Sequence, residues 1–445
     1  MTAAPGSAAR AVPGRAGGEV PAGGGPAASC ITEPADGTPS FGQDHAPQRG
    51  VPSQTGGRAP GTAPLEGILV ADFSRVLAGP LATMTLADLG ARVVKVERPG
   101  SGDDTRHWGP PFSATGSTYF ESVNRNKESV ELDLADPEDR ALARELALRA
   151  DVLVENFKPG GLEKLGLGYE SLATENPGLV YASISGFGSA GGRDLPGYDF
   201  IVQALGGLMS ITGAADGEPG AGPTKVGVAV VDVLTAKDAT IGILAALAER
   251  ARTGRGRRVE VNLLSSLQGA LANQGQAYLG AGAAPRRMGN DHPSIVPYQL
   301  LATADAPLAV AAGNDGQFAR LCEAIGSPDL AADPRFATNA ARVAHRSELV
   351  PLLEAGLSTA SAEVWQDKLA GLGVPCGRVA GIGEGLDYAE SLGLSPTVEV
   401  RDRSGAAVGR QIRHPITWTP PLPHRTQAPP ALGADTADVV RWLRA

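Results

Sequence analysis

The chain has 445 residues and a net charge of −9, and its composition is 42% hydrophobic but only 4% aromatic. This hydrophobic fraction excludes a wholly disordered chain, and three scattered cysteines exclude a small domain held by disulfides. An acidic chain without an apolar run of ~20 residues predicts neither a nucleic acid nor a membrane as partner. Cysteines without zinc spacing predict free thiols, no metal site and a cytoplasmic location.

Gly and Pro are concentrated in residues 1–64, which hold almost no large apolar residue. Such a segment cannot bury enough surface to offset the conformational entropy lost on ordering it. We therefore expect a disordered tail that contributes nothing to catalysis. A transit peptide and a start codon placed too far upstream are the alternatives, whereas a secretory signal would need an apolar core that this segment lacks.

Short apolar runs alternate with helical patterns from residue 65 onward. Strands that alternate with helices predict an α/β fold with a mainly parallel sheet, whose ligands bind at the carboxyl ends of the strands. Pro80 in the first turn and Gly90 after the last turn mark the bounds of the first helix. The predicted strands are 67–73, 92–97, 151–155 and 179–185, and the predicted helices are 78–89 and 137–149.

Small, basic and amide-bearing residues follow these four strands, at 74–80, 98–100, 156–160 and 186–188. Residues of this kind at adjacent strand ends suit a phosphorylated ligand, although ordinary turn chemistry explains any one of them alone. The first turn lacks the G-x-G-x-x-G fingerprint of dinucleotide binding, which disfavours an NAD enzyme.

A further predicted strand, 226–233, precedes a predicted helix, 235–252. Asp232 would then lie just before a helix N-terminus, where free N–H groups and the dipole favour the ionised carboxylate. An ionised, partly desolvated carboxylate can attack an activated acyl group, whereas a helix-capping role is the ordinary alternative. Asp199 follows a loop rich in Gly and Pro and is a second candidate, with a surface turn residue as its alternative.

Eight segments in chain order resemble one family: DFSRVLAGP (72–80), VVKVERPGSGD (93–103), VNRNKES (123–129), VENFKPG (154–160), GYD (197–199), IGILAALAERARTGRG (241–256), IVPYQ (295–299) and GVPCG (373–377). Each is weak alone, but the ordered set is specific. The chain resembles the class III CoA-transferases of the CaiB/BaiF type, a group that includes formyl-CoA transferase and the α-methylacyl-CoA racemases. Residues 102–112 and 294–299 most resemble the succinyl-CoA:glutarate (hydroxymethylglutarate) CoA-transferases.

The resemblance implies an acyl-CoA:carboxylate CoA-transferase in which Asp232 is the nucleophile and an aspartyl-CoA thioester is the intermediate. The donor would be an acyl-CoA such as succinyl-CoA, and the acceptor a carboxylic acid, with dicarboxylic acids favoured. Tyr198 and Asp199 would position the reactants. Coenzyme A would be a co-substrate, with no permanently bound cofactor and no metal, because the covalent intermediates keep the acyl group activated.

The resemblance also implies contacts to CoA. Val76 and Ala78 would lie near the adenine, Arg98 on the phosphates, and Asn156, Phe157 and Lys164 along the pantetheine and phosphate path. A solvated surface charge is the alternative for Arg98 and Lys164.

Arg106 is a candidate for binding the distal carboxylate of a dicarboxylic acid, and His292 lies in a loop that the resemblance places near the active site. Leu77 replaces a glutamine of formyl-CoA transferase, which disfavours oxalate and formate.

Two other functions are weighed against CoA transfer. The racemases carry a histidine where this chain has Tyr198, and tyrosine, which ordinarily titrates at about pH 10, is a poor base at neutral pH. A racemase-type isomerase is therefore disfavoured. A non-catalytic CoA-binding protein is the third alternative, which the joint presence of Asp232 and the GYD motif opposes.

The resemblance finally implies an architecture. A large Rossmann-like domain at 65–275 would bind CoA, a small α/β domain would span 285–390, and 395–445 would return to the large domain. Each monomer would form a ring, and two rings would interlock as a homodimer.

Overall fold

The structure, a computed structural model, describes residues 63–423 and 425–445. The predicted tail at residues 1–64 lies outside the described residues except for its last two.

Six parallel strands form the central sheet, namely β1 (Leu69–Asp72), β2 (Arg92–Glu97), β3 (Lys127–Glu131), β4 (Val152–Glu155), β5 (Val180–Ser185) and β6 (Arg258–Asn262). Their order is β3-β2-β1-β4-β5-β6, so the direction of winding reverses between β1 and β4. Sheets wound in this way bind ligands outside the carboxyl ends of the strands at the reversal. The α/β fold class predicted from the sequence is confirmed.

Helices cover both faces of this sheet: α1 (Ala78–Asp88), α2 (Thr118–Glu121), α3 (Pro137–Arg149), α4 (Tyr169–Glu175), α5 (Asp199–Leu205), α6 (Leu208–Ile211), α7 (Val230–Thr253), α8 (Leu263–Ala270) and α9 (Ala272–Ala281). One hydrophobic cluster joins α1, α7 and α8 to the first face. A second cluster joins α3 and α4 to the other. Two short 3-10 helices lie at Asp104–His107 and Glu163–Leu165.

The structure confirms β2 and α3 with their predicted bounds, and β1, β4, β5 and α1 are one or more residues shorter than predicted. The predicted strand 226–233 is wrong, because residues from Val230 onward form the first turns of α7. Val231 and Thr235 are both buried, four residues apart, which is the spacing of one helix face. A short apolar run does not distinguish a buried strand from a buried helix.

A separate hydrophobic core lies further along the chain. Its antiparallel sheet has the order β7-β8-β9, with β7 at Tyr298–Leu301, β8 at Leu308–Ala311 and β9 at Cys376–Arg378. The helices of this region are α10 (Asp315–Ala324), α11 (Asp329–Ala332), α12 (Asn339–Ala344), α13 (Arg346–Leu357), α14 (Ala362–Gly371) and α15 (Ile382–Ser391).

The C-terminal segment returns to the central sheet. After the antiparallel ribbon of β10 (Thr397–Arg401) and β11 (Ala407–Ile412), the last helix, α16 (Thr436–Arg444), packs Val439 and Leu443 into the cluster beside α3. Arg149 of α3 donates hydrogen bonds to the carbonyls of Trp442 and Leu443. Among the described helices, none combines the length and the apolar character that a membrane span requires.

A buried arginine, Arg342, links separate segments of the smaller core by hydrogen bonds. Arg342 is fully buried, and it donates to the carbonyls of Val296 and Phe336 at 2.7 and 2.9 Å and to Asp315 at 2.8 Å. Its guanidinium also stacks on the Phe318 ring, 4.4 Å from the centroid. Removing this side chain leaves two carbonyls and a carboxylate without their donor.

We expect Arg342→Ala to lower the free energy of unfolding by about 3 kcal/mol, because the carbonyls of Val296 and Phe336 lose a buried donor and the large side chain leaves a cavity. Arg335→Ala is the matched control, since Arg335 pairs with Asp333 and Glu348 but is half exposed, and it should cost less than about 1 kcal/mol. Chemical denaturation followed by circular dichroism measures both. Equal losses in the two variants would contradict the role of Arg342.

Candidate active site

A cavity opens at the carboxyl edge of the sheet, where the loops after β1, β4 and β5 meet. Its volume is about 420 Å³, which is within the range of small-molecule binding sites. The lining consists of residues 75–78, 156–159, 184–186 and 194–198 together with Asp104, Asp232 and Leu263.

Seven of the residues selected from the sequence line this one cavity: Val76, Leu77, Ala78, Asn156, Phe157, Tyr198 and Asp232. They come from four separate stretches of the chain. Parallel strands bring these stretches together because all their carboxyl ends lie at the same edge.

Asp232 lies in the first turn of α7, whose N-cap is Ala229. The expectation that Asp232 precedes the helix is therefore wrong, and so is the alternative that it caps the helix. Burial, and then the charge of Asp199, raise the pKa of Asp232 to about 7. The expected preference for the ionised form is thus reversed.

Asp199 contributes to the raised pKa of Asp232, after burial. Its Oδ1 accepts hydrogen bonds from the backbone N–H groups of Val231 at 2.7 Å and of Asp232 at 3.4 Å. Asp199 therefore caps α7 from a distant position in the chain, and it takes the favourable interaction with the helix N-terminus. Its own position is fixed by Gln203, which is fully buried and donates to Oδ2 at 2.7 Å.

Tyr198 lines the cavity at the N-cap position of α5 and is 61% exposed. It is held there by a close backbone approach, because Gly186 and Gly197 pack against each other. A Cβ atom on either glycine would come within 2.4 Å of the Cα atom of the other. These two glycines let the loops after β5 meet at the cavity wall.

Two further residues near the site were missed in the sequence. Burial, and then the charges of Asp232, Asp199 and Asp103, raise the pKa of Tyr119 to about 12, so this tyrosine faces the same group of carboxylates. Its ring packs edge-on against Trp108 at 5.1 Å. Only its position just before the VNRNKES segment could have indicated it.

Arg75 is the second missed residue. It lines the Asp232 cavity and also an adjoining cavity, and its guanidinium lies 5.6 Å from the centroid of the Phe157 ring. Its Nε is buried without a hydrogen-bond partner in the structure. From the sequence, Arg75 was predicted only to lie in the strand-end loop 74–80.

The adjoining cavity lies over β1, β2 and β3 and contains Arg98. It shares Arg75 and Phe157 with the Asp232 cavity, so the two cavities adjoin at these side chains. Arg98 is paired with Asp104 at 2.5 Å. Lys164 is exposed in the 3-10 helix Glu163–Leu165 and lines neither of the two.

The structure does not bring Arg106 or His292 to the Asp232 cavity. Arg106 forms a two-pronged ion pair with Glu97 at 2.7 and 2.8 Å and donates to the carbonyl of Pro430. It is therefore engaged within the protein, contrary to its expected role toward a substrate carboxylate. His292 accepts a hydrogen bond from the N–H of Ser294 and packs against the Tyr298 ring.

The described residues contain no group of three or more His, Cys, Asp or Glu side chains arranged to hold a metal ion.

Comparison with known proteins places this chain in a family. The profile of CoA-transferase family III matches residues 65–436. The succinate–glutarate CoA-transferase of Agrobacterium fabrum is 45% identical over 395 residues, which cover 85% of this chain and 96% of that protein. The succinyl-CoA:glutarate CoA-transferase of Homo sapiens is 44% identical over 317 residues, covering 71% of this chain and 72% of that protein.

A solved structure supports the same assignment. The crystal structure of a CaiB/BaiF family protein from Brucella suis matches with a TM-score of 0.76 and 41% identity, covering 86% of this chain and 100% of that one. The family resemblance noted in the sequence is thereby confirmed. The chain belongs to CoA-transferase family III and is a CoA-transferase.

Proposed function

We propose that this enzyme transfers CoA from a donor such as succinyl-CoA to a dicarboxylic acid, with Asp232 as the nucleophile. The observation that carries the proposal is the place of Asp232, a partly buried carboxylate in a large cavity at the reversal of the sheet. The names of similar proteins support the substrate class, since they act on succinate, glutarate and mesaconate.

The reaction would consist of two half-reactions, one with the donor and one with the acceptor, that use the same chemical steps in reverse order. The Asp232 carboxylate attacks the carbonyl of the donor thioester, the C–S bond breaks, and an acyl-aspartyl anhydride and CoA thiolate form. The thiolate then attacks the aspartyl carbonyl, which releases the first acid and leaves an aspartyl-CoA thioester. The acceptor carboxylate attacks this thioester to give a new anhydride and thiolate. Attack of the thiolate on the new acyl carbonyl yields the product and restores Asp232.

The surroundings of Asp232 suit this role. Only the ionised carboxylate is nucleophilic, and a carboxylate with a raised pKa is a stronger nucleophile than an ordinary one. Burial and the neighbouring Asp199 supply that rise. The pKa of Asp232 is thus close to neutral pH, so a small change in its surroundings shifts the carboxyl group to the ionised form.

We propose that CoA occupies both cavities, with its phosphates beside Arg98 and Arg75 and its pantetheine arm passing Phe157. The two cavities adjoin at Arg75 and Phe157, which supports this path, and guanidinium groups suit phosphate because of their planar donors. The side chain of Asn156 bonds both backbone groups of Arg75, at 2.8 and 2.7 Å. We therefore assign Asn156 to holding this wall, with Val76 and Ala78 next to it.

Leu77 lines the cavity with Asp232, and an apolar side chain there disfavours oxalate and formate relative to a longer dicarboxylate. Racemisation remains the less favoured alternative, since Tyr198 stands where the racemases carry a histidine.

We also propose that the two hydrophobic cores are the large domain, 65–275 with 395–445, and the small domain, 285–390, of a ring-shaped monomer in an interlocked homodimer. Exposed apolar side chains on α5, α9 and α15 support a protein interface, among them Leu205, Leu279 and Ile382. A cytoplasmic location is supported by the free thiols of Cys322 and Cys376.

Replacing the nucleophile should abolish transfer. We expect Asp232→Asn to lower kcat by at least about a thousandfold, because no covalent intermediate can form. Asp238→Asn is the matched control, since Asp238 is exposed on the same helix, and it should retain wild-type activity. Activity is measured as succinyl-CoA-dependent formation of glutaryl-CoA.

The intermediate can be trapped in the same assay. Hydroxylamine converts an aspartyl-CoA thioester to a hydroxamate and releases CoA, so the wild-type peptide that carries Asp232 should gain this modification only when succinyl-CoA is present. Transfer without a trapped peptide, or full activity in Asp232→Asn, would refute the assignment of Asp232.

The pH profile tests the electrostatics of the site. We expect kcat/KM to fall on the acid side with an apparent pKa of about 7, because protonated Asp232 cannot attack. In Asp199→Asn the charge that raises this pKa is gone while the capping oxygen remains, so the acid limb should move to lower pH. An acid limb that stays in place in this variant would show that Asp199 does not control Asp232.

The assembly is tested by native mass spectrometry and analytical ultracentrifugation. We expect a dimer that persists on dilution to nanomolar protein, because interlocked rings separate only by unfolding. A stable folded monomer would overturn this part of the proposal.

A further inference from the structure

The turn after β1 is strained at the point where it lines the active-site cavity. Val76 has a φ of 69°, in the left-handed region, and it is the only β-branched residue with positive φ among the described residues. A β-branched side chain is disfavoured there by steric clash. Such strain persists only where surrounding contacts over-determine the backbone, and it concentrates at functional sites.

The N–H groups of residues 74–76 all donate to side chains. The N–H and carbonyl of Arg75 bond the amide of Asn156, as described above. The N–H of Val76 donates to both carboxylate oxygens of Asp103, at 3.2 and 3.3 Å. The strained residue is therefore held by a carboxylate that is itself buried.

The charges behind the turn are also buried. Lys95 bonds the carbonyl of Ser74 at 2.7 Å and the carboxylate of Asp103 at 3.0 Å, and both side chains are fully buried. On the other side of the turn, Asp72 accepts from the N–H of Ser74 at 2.9 Å and pairs with Lys127 at 3.0 Å.

A buried ion pair is a poor source of stability, because desolvation of both charges offsets most of their attraction. The Lys95–Asp103 and Asp72–Lys127 pairs here bond the same segment, because each contacts the backbone of residues 74–76. Helix α1 packs against the turn and prevents its backbone from relaxing. Gly79 approaches Ser74 so closely that a Cβ on Gly79 would lie 2.2 Å from the Cβ of Ser74.

We propose that the Lys95–Asp103 ion pair is a positioning device that holds the strained turn at Val76 in its ligand-binding shape. The inference rests on the proposed CoA site, because the turn forms the wall of that cavity. Neither Lys95 nor Asp103 is required to touch the reacting atoms. Asp103 acts through the N–H of Val76, and Lys95 acts through the carbonyl of Ser74 and the carboxylate of Asp103.

A double-mutant cycle separates positioning from ordinary structural support. Asp103→Asn loses the charge-assisted bond and should raise the KM for succinyl-CoA by about tenfold, with a smaller effect on kcat. Glycine adopts positive φ without strain. In a Val76→Gly background, the same Asp103→Asn change should therefore raise KM by about threefold or less.

An equal rise in KM in the wild-type and Val76→Gly backgrounds would overturn the proposal, because a purely structural Asp103 acts regardless of residue 76. Glu128→Gln is the control, since Glu128 pairs with Arg92 away from the turn, and its KM should match wild type. Should Asp103→Asn not fold, the pair Lys95→Met with Asp103→Asn removes both charges and is measured in the same two backgrounds.

A second readout needs no CoA. Hydrogen exchange of a peptide spanning residues 74–78, followed by mass spectrometry on the unliganded protein, should lose protection in Asp103→Asn, and full protection would contradict the proposal. Calorimetric titration of the wild type with CoA tests the CoA site separately. Lost protection in the variant together with no CoA binding by the wild type would reject the CoA site but keep the positioning role.

Discussion

The active-site cavity depends on the hydrogen bonds that fix the turn after β1. Parallel strands deliver loops to one edge of the sheet, but they do not specify the shape of those loops. Here the shape comes from two buried ion pairs. Lys95, Asp103 and Asp72 bond the backbone of the turn, and Lys127 pairs with Asp72. Burying these charges costs free energy, which the packing of the rest of the sheet offsets. The turn that they hold forms the cavity wall that includes Val76.

The surroundings of Asp232, the proposed nucleophile, depend on a second contact of the same kind. Asp199 reaches the N-terminus of α7 from 33 residues earlier in the chain, and it occupies the N–H groups that would otherwise stabilise a charge on Asp232. Two carboxylates close together cannot both be stable as anions when one of them is buried. The helix end therefore fixes Asp199 in place and leaves Asp232 with a raised pKa.

Features of the fold that depend on local sequence pattern could be predicted from the sequence. Strand β2 and helix α3 have clear periodicity, and the strand-end residues were expected to converge because parallel strands require it. The charged strand β3 was not predicted, since Lys127 gives no sign in the sequence that Asp72 will pair with it inside the core. The pairing of Arg106 with Glu97 and the capping of α7 by Asp199 depend on loop geometry, which hydrophobic pattern does not encode.

The return of the C-terminus to the central sheet has a consequence for synthesis. Val439 and Leu443 of α16 complete the cluster on one face of the sheet, and Arg149 bonds carbonyls within the last four residues of the chain. The residues of the smaller core, from Val296 to Val374, all precede α16 in the chain. They are therefore synthesised first, and the smaller core can form while the larger one still lacks Val439 and Leu443.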